Sequence, residues 1–129
     1  MDIIVSQAQA RVPVSIFQLK GSFDSASYEQ FDTRVKELLQ AGTRNVLIDL
    51  SQVNYISSAG VRSLVSLVKQ LHSAEEEKAL EKAAIQGHSS SPHLKLVGVG
   101  PKVMSVLQMS GMDMILDIRK TQAEGLAAF

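Results

Sequence analysis

Apolar and polar positions follow two different rhythms along this chain of 129 residues. Near the N-terminus the period is two. Ile3-Ile4-Val5 reads as a short strand. From Val12 to Leu19 the chain sets Val14, Ile16 and Gln18 on one face and Ser15, Phe17 and Leu19 on the other. Arg11-Val12-Pro13 predicts the turn between these strands, and Gly21-Ser22 predicts the end of the second. The period then lengthens. Tyr28, Phe31, Val35, Leu38 and Leu39 recur three or four apart, on one side of a helix capped by Asp24 or Ser25 and stopped by Gly42.

Val46 to Leu50 is almost continuously apolar, as in a strand buried on both faces. A polar turn and a shorter apolar segment follow. A second helical stripe, Val61, Leu64, Val65, Val68 and Leu71, places a helix near 60–72. Leu94, Leu96, Val97 and Val99 supply another strand, so residues 46–99 read as a strand–helix–strand crossover. Gly100-Pro101 opens a helix with Val103, Met104 and Leu107 inward and Gly111 at its end. Ile115 to Ile118 forms a short strand, and Arg119 to Phe129 a final helix. The expected fold is a single α/β domain over 1–129, with a mixed sheet of four or five strands and about four helices.

Residues 74–93 interrupt this plan. Glu75-Glu76-Glu77-Lys78 and an alanine-rich stretch have helical propensity, and Gly87-His88-Ser89-Ser90-Ser91-Pro92-His93 reads as a loop. The segment is expected to be a mobile insertion with solvent-exposed loop histidines.

Composition narrows the function. Thirteen basic residues balance thirteen acidic ones, so no basic surplus exists for neutralising nucleic-acid phosphates. The chain has no cysteine, which removes thiol nucleophiles and cysteine metal sites. No apolar run is long enough to span a bilayer, and Met1 to Val5 lacks the basic start of a signal peptide. The expectation is a cytoplasmic domain with no cofactor.

Candidate catalytic groups do not converge. Ser58 would need a base within hydrogen-bond reach. His72 lies more than three helical turns beyond it, about 20 Å along the helix, and reads as a packing residue. His88 and His93 lack the further ligands a zinc site requires. Gly98-Val99-Gly100-Pro101-Lys102 lacks the endings of phosphate-binding loops and reads as a strand-to-helix turn. The chain is therefore expected not to be an enzyme. By residue type alone, Ser57 or Ser58 is a helix cap.

One extended pattern adds to that reading. Leu47-Ile48-Asp49-Leu50-Ser51, followed by Val53-Asn54-Tyr55-Ile56-Ser57-Ser58-Ala59-Gly60-Val61, resembles the strand, loop and switch helix of the STAS family of bacterial anti-sigma-factor antagonists. Leu19 to Asp24 resembles the family's strand-turn before its first helix. Leu94 to Val99, and the helix ending Met109-Ser110-Gly111-Met112, resemble its later elements. The resemblance covers all but residues 74–93. It implies a phosphoacceptor at Ser58, with Ser57 as the fallback, and a partner surface of Asp24, Ser57, Ser58, Ala59, Gly60 and Arg62. The family's motif often carries an aspartate where this chain has Ser57. The implied partners are a serine kinase that doubles as the anti-sigma factor and a PP2C-type phosphatase. The alternative is a non-switching STAS scaffold or an adaptor in a sensory complex.

Overall fold

The computed structural model describes residues 1–85 and 91–129. Five strands lie in chain order across one sheet: β1 (Asp2–Gln9), β2 (Pro13–Phe23), β3 (Val46–Ile56), β4 (Leu94–Val97) and β5 (Asp117–Arg119). β1 and β2 form an antiparallel hairpin, and the other neighbours are parallel. The helices are α1 (Tyr28–Gln40), α2 (Ser58–Leu71), α3 (Ala74–Ile85), α4 (Pro101–Met109) and α5 (Gln122–Ala127), with a 3-10 turn at Met112–Met114. The mixed sheet agrees with expectation; among the described residues the α-helices number five.

Strand alternation divides the core in two. Phe17, Leu19, Ile48, Leu50, Leu94 and Leu96 face α1, α2 and α4 in the main core, where the Phe31 ring meets Phe17 edge-on and Phe23 at a tilt. Val14, Ile16, Leu47 and Val97 form a smaller cluster on the other face, covered by Leu126 of α5 and by Phe129. α5 lies close because Gly125 has no side chain. A Cβ there would stand 2.6 Å from a Leu47 methyl and 2.8 Å from a Val97 methyl. α1 stops as expected at Gly42, whose φ of 104° lets Thr43 N–H reach Leu38 O and Gly42 N–H reach Leu39 O.

Several boundaries differ from the sequence reading; β5 spans Asp117–Arg119 rather than Ile115–Ile118, and α5 starts at Gln122 rather than Arg119. β1 runs to Gln9 rather than Val5, because every residue from Asp2 onward pairs with β2. β2 does not end at Gly21-Ser22. Gly21, at φ 112°, sits at a register irregularity within the strand, which continues to Phe23. β3 is one strand of 11 residues, since β2 pairs with it as far as Ile56 and its polar Ser51, Gln52 and Asn54 are exposed. α1 starts at Tyr28, after a turn in which Asp24 Oδ1 accepts from Ala26 N–H at 2.9 Å. Asp24 and Ser25 therefore do not cap it.

The 74–93 segment agrees in its helical first part and differs after it. Its first part is α3. Residues 86–90, including Gly87 and His88, lie outside the described residues. Ser91 and His93, expected in an exposed loop, are fixed. Ser91 is fully buried, and its Oγ accepts from His93 N–H at 3.3 Å and Leu94 N–H at 3.1 Å and contacts His72 Nε2 at 3.0 Å. His93 contacts Asn45 Oδ1 and Glu76 Oε2 through its two ring nitrogens. His72 is the buried packing histidine expected, closed by Nδ1 on Val68 O.

Beneath α5's face, the buried Lys95 ammonium meets Asp117 Oδ2 at 2.8 Å, and Arg119 Nε bonds Asp117 Oδ1 at 2.6 Å. Burial pushes the Asp117 carboxyl up, but hydrogen bonds from Arg119 and Lys95, with their charges, outweigh it and hold the group below its ordinary value of 3.8. A depressed carboxylate stabilises the fold above that value, and the contribution is lost as pH falls below it. Asp117→Asn should cost about 3 kcal/mol at neutral pH by leaving Lys95 underpaired. It should also flatten the fall in urea midpoint on acidification below about pH 4. An acid profile unchanged from the wild type would contradict this assignment.

Candidate functional site

The end of β3 and the start of α2 meet at Ser57. Its backbone is extended, with φ −95° and ψ 176°, and its polar groups are committed. Ser57 N–H donates to Phe23 O at 2.9 Å, Ser57 O accepts from Val61 N–H at 2.9 Å, and Ser57 Oγ accepts from Gly60 N–H at 3.4 Å. Ser57 is the helix cap. Ser58 is the first residue of α2, one step further round, and exposed; among the described residues its hydroxyl has no hydrogen-bond partner. The two serines are therefore inequivalent: one hydroxyl is structural and the other free.

Gly60 explains why the turn lies so tightly on the sheet. A Cβ on it would fall 2.6 Å from Phe23 O, 2.8 Å from Ile56 Cγ1 and 3.1 Å from Phe23 Cδ1. Ala59 and Gly60 are buried. They seat α2 so that Ser58 projects.

Asp24 follows directly on the Phe23 carbonyl that holds Ser57. It is half-buried, and Ser27 Oγ lies 3.2 Å from its Oδ1. Arg62 is exposed and stands one turn after Ser58 on the same side of α2. Two residues that sequence reasoning passed over join the rim. Tyr55, at the end of β3, is 52 % exposed. Tyr28 donates its hydroxyl to Glu29 Oε1 at 3.2 Å; this bond, then the Glu29 charge, raise its pKa, while the nearby Arg62 charge opposes the rise. Tyr55 carried a signal in the sequence: it sits between the buried Val53 and Ile56, at a position the strand turns outward. Tyr28 carried none, because its apolar spacing fits the helix stripe. Among the described residues no cluster of three or more histidines and carboxylates could hold a metal, and no helix is long and apolar enough to cross a membrane.

The STAS domain family model matches residues 6–82. The chain belongs to the STAS domain family. It is 30% identical over 111 residues to BtrV of Bordetella bronchiseptica, provisionally named an anti-sigma factor antagonist, covering 86% of this chain and 82% of that one. An anti-sigma factor antagonist from Mycobacterium paratuberculosis superposes with a TM-score of 0.76 at 17% identity, over 98% of this chain and 92% of that one. SpoIIAA of Bacillus, solved in its phosphorylated form, superposes with a TM-score of 0.61 at 16% identity, over 97% and 96%. The family match extends through the first nine residues of α3.

The inequivalence of this STAS domain's two serines is testable by stability. Ser57→Ala should lose about 1 kcal/mol in urea denaturation, through the lost cap. Ser58→Ala should change stability by less than about 0.5 kcal/mol. Gly60→Ala should cost more than either, about 1–3 kcal/mol, because the Phe23 carbonyl is backbone and cannot swing aside. Equal losses at Ser57 and Ser58 would contradict the assignment of the cap.

Proposed function

We propose that this chain is an anti-sigma factor antagonist that works by partner switching. Unphosphorylated, it binds a serine-kinase anti-sigma factor. The kinase phosphorylates Ser58 and the complex parts, and a PP2C-type phosphatase restores the binding form. The chain acts as substrate and binding module in a bacterial cytoplasm. The observation that carries this reading is the free, exposed hydroxyl of Ser58 beside a committed Ser57. A kinase needs a serine that can leave the fold undisturbed, and Ser58 is that serine. The anti-sigma factor antagonist name of BtrV and the phosphorylated form of SpoIIAA support the same role.

Electrostatics favours a switch without unfolding. A phosphate adds about −1.5 to −2 charges. At the first residue of α2 it meets unpaired backbone N–H groups and the positive end of the helix, with Arg62 one turn along. The domain tolerates the charge, whereas a partner shaped to a neutral hydroxyl must desolvate a dianion. Each 1.4 kcal/mol of that cost lowers affinity about tenfold. Asp24, Tyr28, Tyr55 and Arg62 are the groups we assign to the partner rim.

Incubation with the cognate kinase and ATP, followed by mass-spectrometric site mapping, should place one phosphate on Ser58 and none on Ser57. Ser58→Ala should keep partner affinity within about twofold, and Ser58→Asp should weaken it at least about tenfold. Phosphate on neither serine, with unchanged affinity in Ser58→Asp, would leave the non-switching scaffold as the function of the domain.

A further inference from the structure

We propose that Arg62 is a phosphate clamp that changes hands: it lies open to an acidic group of the partner while Ser58 is unmodified, and closes on the phosphate once Ser58 carries one. This rests on the partner-switching reading above and adds how release is brought about. Ser58 and Arg62 are both exposed and stand four residues apart on α2, so their side chains are neighbours on one face. Helical side chains lean toward the N-terminus, which tilts Arg62 back over Ser58. Among the described residues the ion pairs join Arg34 to Glu37, His93 to Glu76, and Asp117 to Lys95 and Arg119; Arg62 belongs to none of them. The arginine side-chain hydrogen bonds there are those of Arg34, Arg44 and Arg119. The N–H fork of Arg62 is therefore open to an incoming anion.

The surroundings leave a phosphate in need of such a donor. It brings three strong acceptor oxygens. At the start of α2, Gly60 N–H is already taken by Ser57 Oγ and Val61 N–H by Ser57 O. The charged neighbours at this corner, Asp24, Glu29 and Asp32, are acids. Asp24 follows the Phe23 carbonyl that holds Ser57, and its own carbonyl accepts from Tyr28 N–H at 2.9 Å. Tyr28 in turn donates its hydroxyl to Glu29 Oε1. The Arg62 charge acts on this tyrosine against those of Glu29 and Asp32, so the guanidinium stands toward the start of α1, at the same corner as Ser58. Among these groups Arg62 is the cation.

The exchange gives the phosphate two effects on binding. In the unmodified chain the guanidinium fork suits a carboxylate of the partner, which it can hold with two parallel hydrogen bonds. A phosphate on Ser58 is tethered one turn away and carries about −1.5 to −2 charges, more than any carboxylate. It takes the fork. The partner's carboxylate then loses its cation and faces an anion in its place, and like charges set opposite each other weaken a complex further. Phosphorylation thus withdraws an attraction and supplies a repulsion at the same residue.

Phosphoserine incorporated in place of Ser58 during translation tests the clamp without the kinase reaction. At about pH 6 the phosphate's dianion-to-monoanion ratio, read by phosphorus NMR, should be roughly two- to fivefold higher in the otherwise wild-type chain than in Arg62→Gln. Lys69→Gln removes an exposed charge of the same helix about 16 Å from Ser58, beyond the screening length of ordinary salt, and should leave the ratio unchanged. Binding to the purified cognate kinase completes the cycle. Unphosphorylated Arg62→Gln should bind at least about fivefold more weakly than the wild type. Phosphate should then weaken the variant by that many fold less than it weakens the wild type. The same ratio with and without Arg62, an equal drop in Lys69→Gln, or a phosphate effect on binding of one size in both chains would overturn the proposal. A ratio that shifts as expected while wild-type binding ignores the phosphate would instead contradict partner switching itself.

Discussion

The carbonyl of Phe23 is the point on which the site depends. It closes the last backbone bond of the β2–β3 pair by accepting from Ser57, and it also sets how near α2 can come, since only a residue without Cβ fits above it. These two constraints act on consecutive turns of chain. The first ends β3 and fixes Ser57 as the cap, and the second presses the first turn of α2 against the sheet. Ser58 lies between them. It faces outward because Ser57 and Gly60 on either side are held inward.

Much of this was legible in the sequence. The period-two and period-3.6 stripes placed β2, α1, α2, β4 and α4, because each buries one or two continuous faces and apolar spacing records burial. The ends of elements were less legible. Gly21 reads as a strand terminator, yet a strand paired along its whole length absorbs a positive-φ glycine as an irregularity. Ser51, Gln52 and Asn54 read as a turn, yet they are the outward residues of a strand held by its partner. Local residue preference gave way to pairing at both places.

The site was half legible. The serine–glycine order marked the right turn of chain, but which hydroxyl is committed is decided by a carbonyl more than thirty residues upstream, which no local pattern records. The opposite end of the domain was illegible for the same reason. Ser91 and His93 belong to a polar, flexible-looking stretch, and only the fold brings them to His72, Asn45 and Glu76. The STAS fold supports more than one role. What argues for switching in this chain is therefore the local chemistry of Ser58, rather than the architecture that presents it.

The central claim is that Ser57 is bound into the fold and Ser58 is not, and residue-resolved amide exchange reads this directly. Ser57 N–H, closed on the Phe23 carbonyl, should exchange at rates approaching those of the neighbouring β3 amides. Ser58 N–H, at a helix start with no backbone acceptor, should exchange near the rate of an open chain. Comparable protection at the two positions, or a Ser57 amide that exchanges faster than Ser58, would contradict the account.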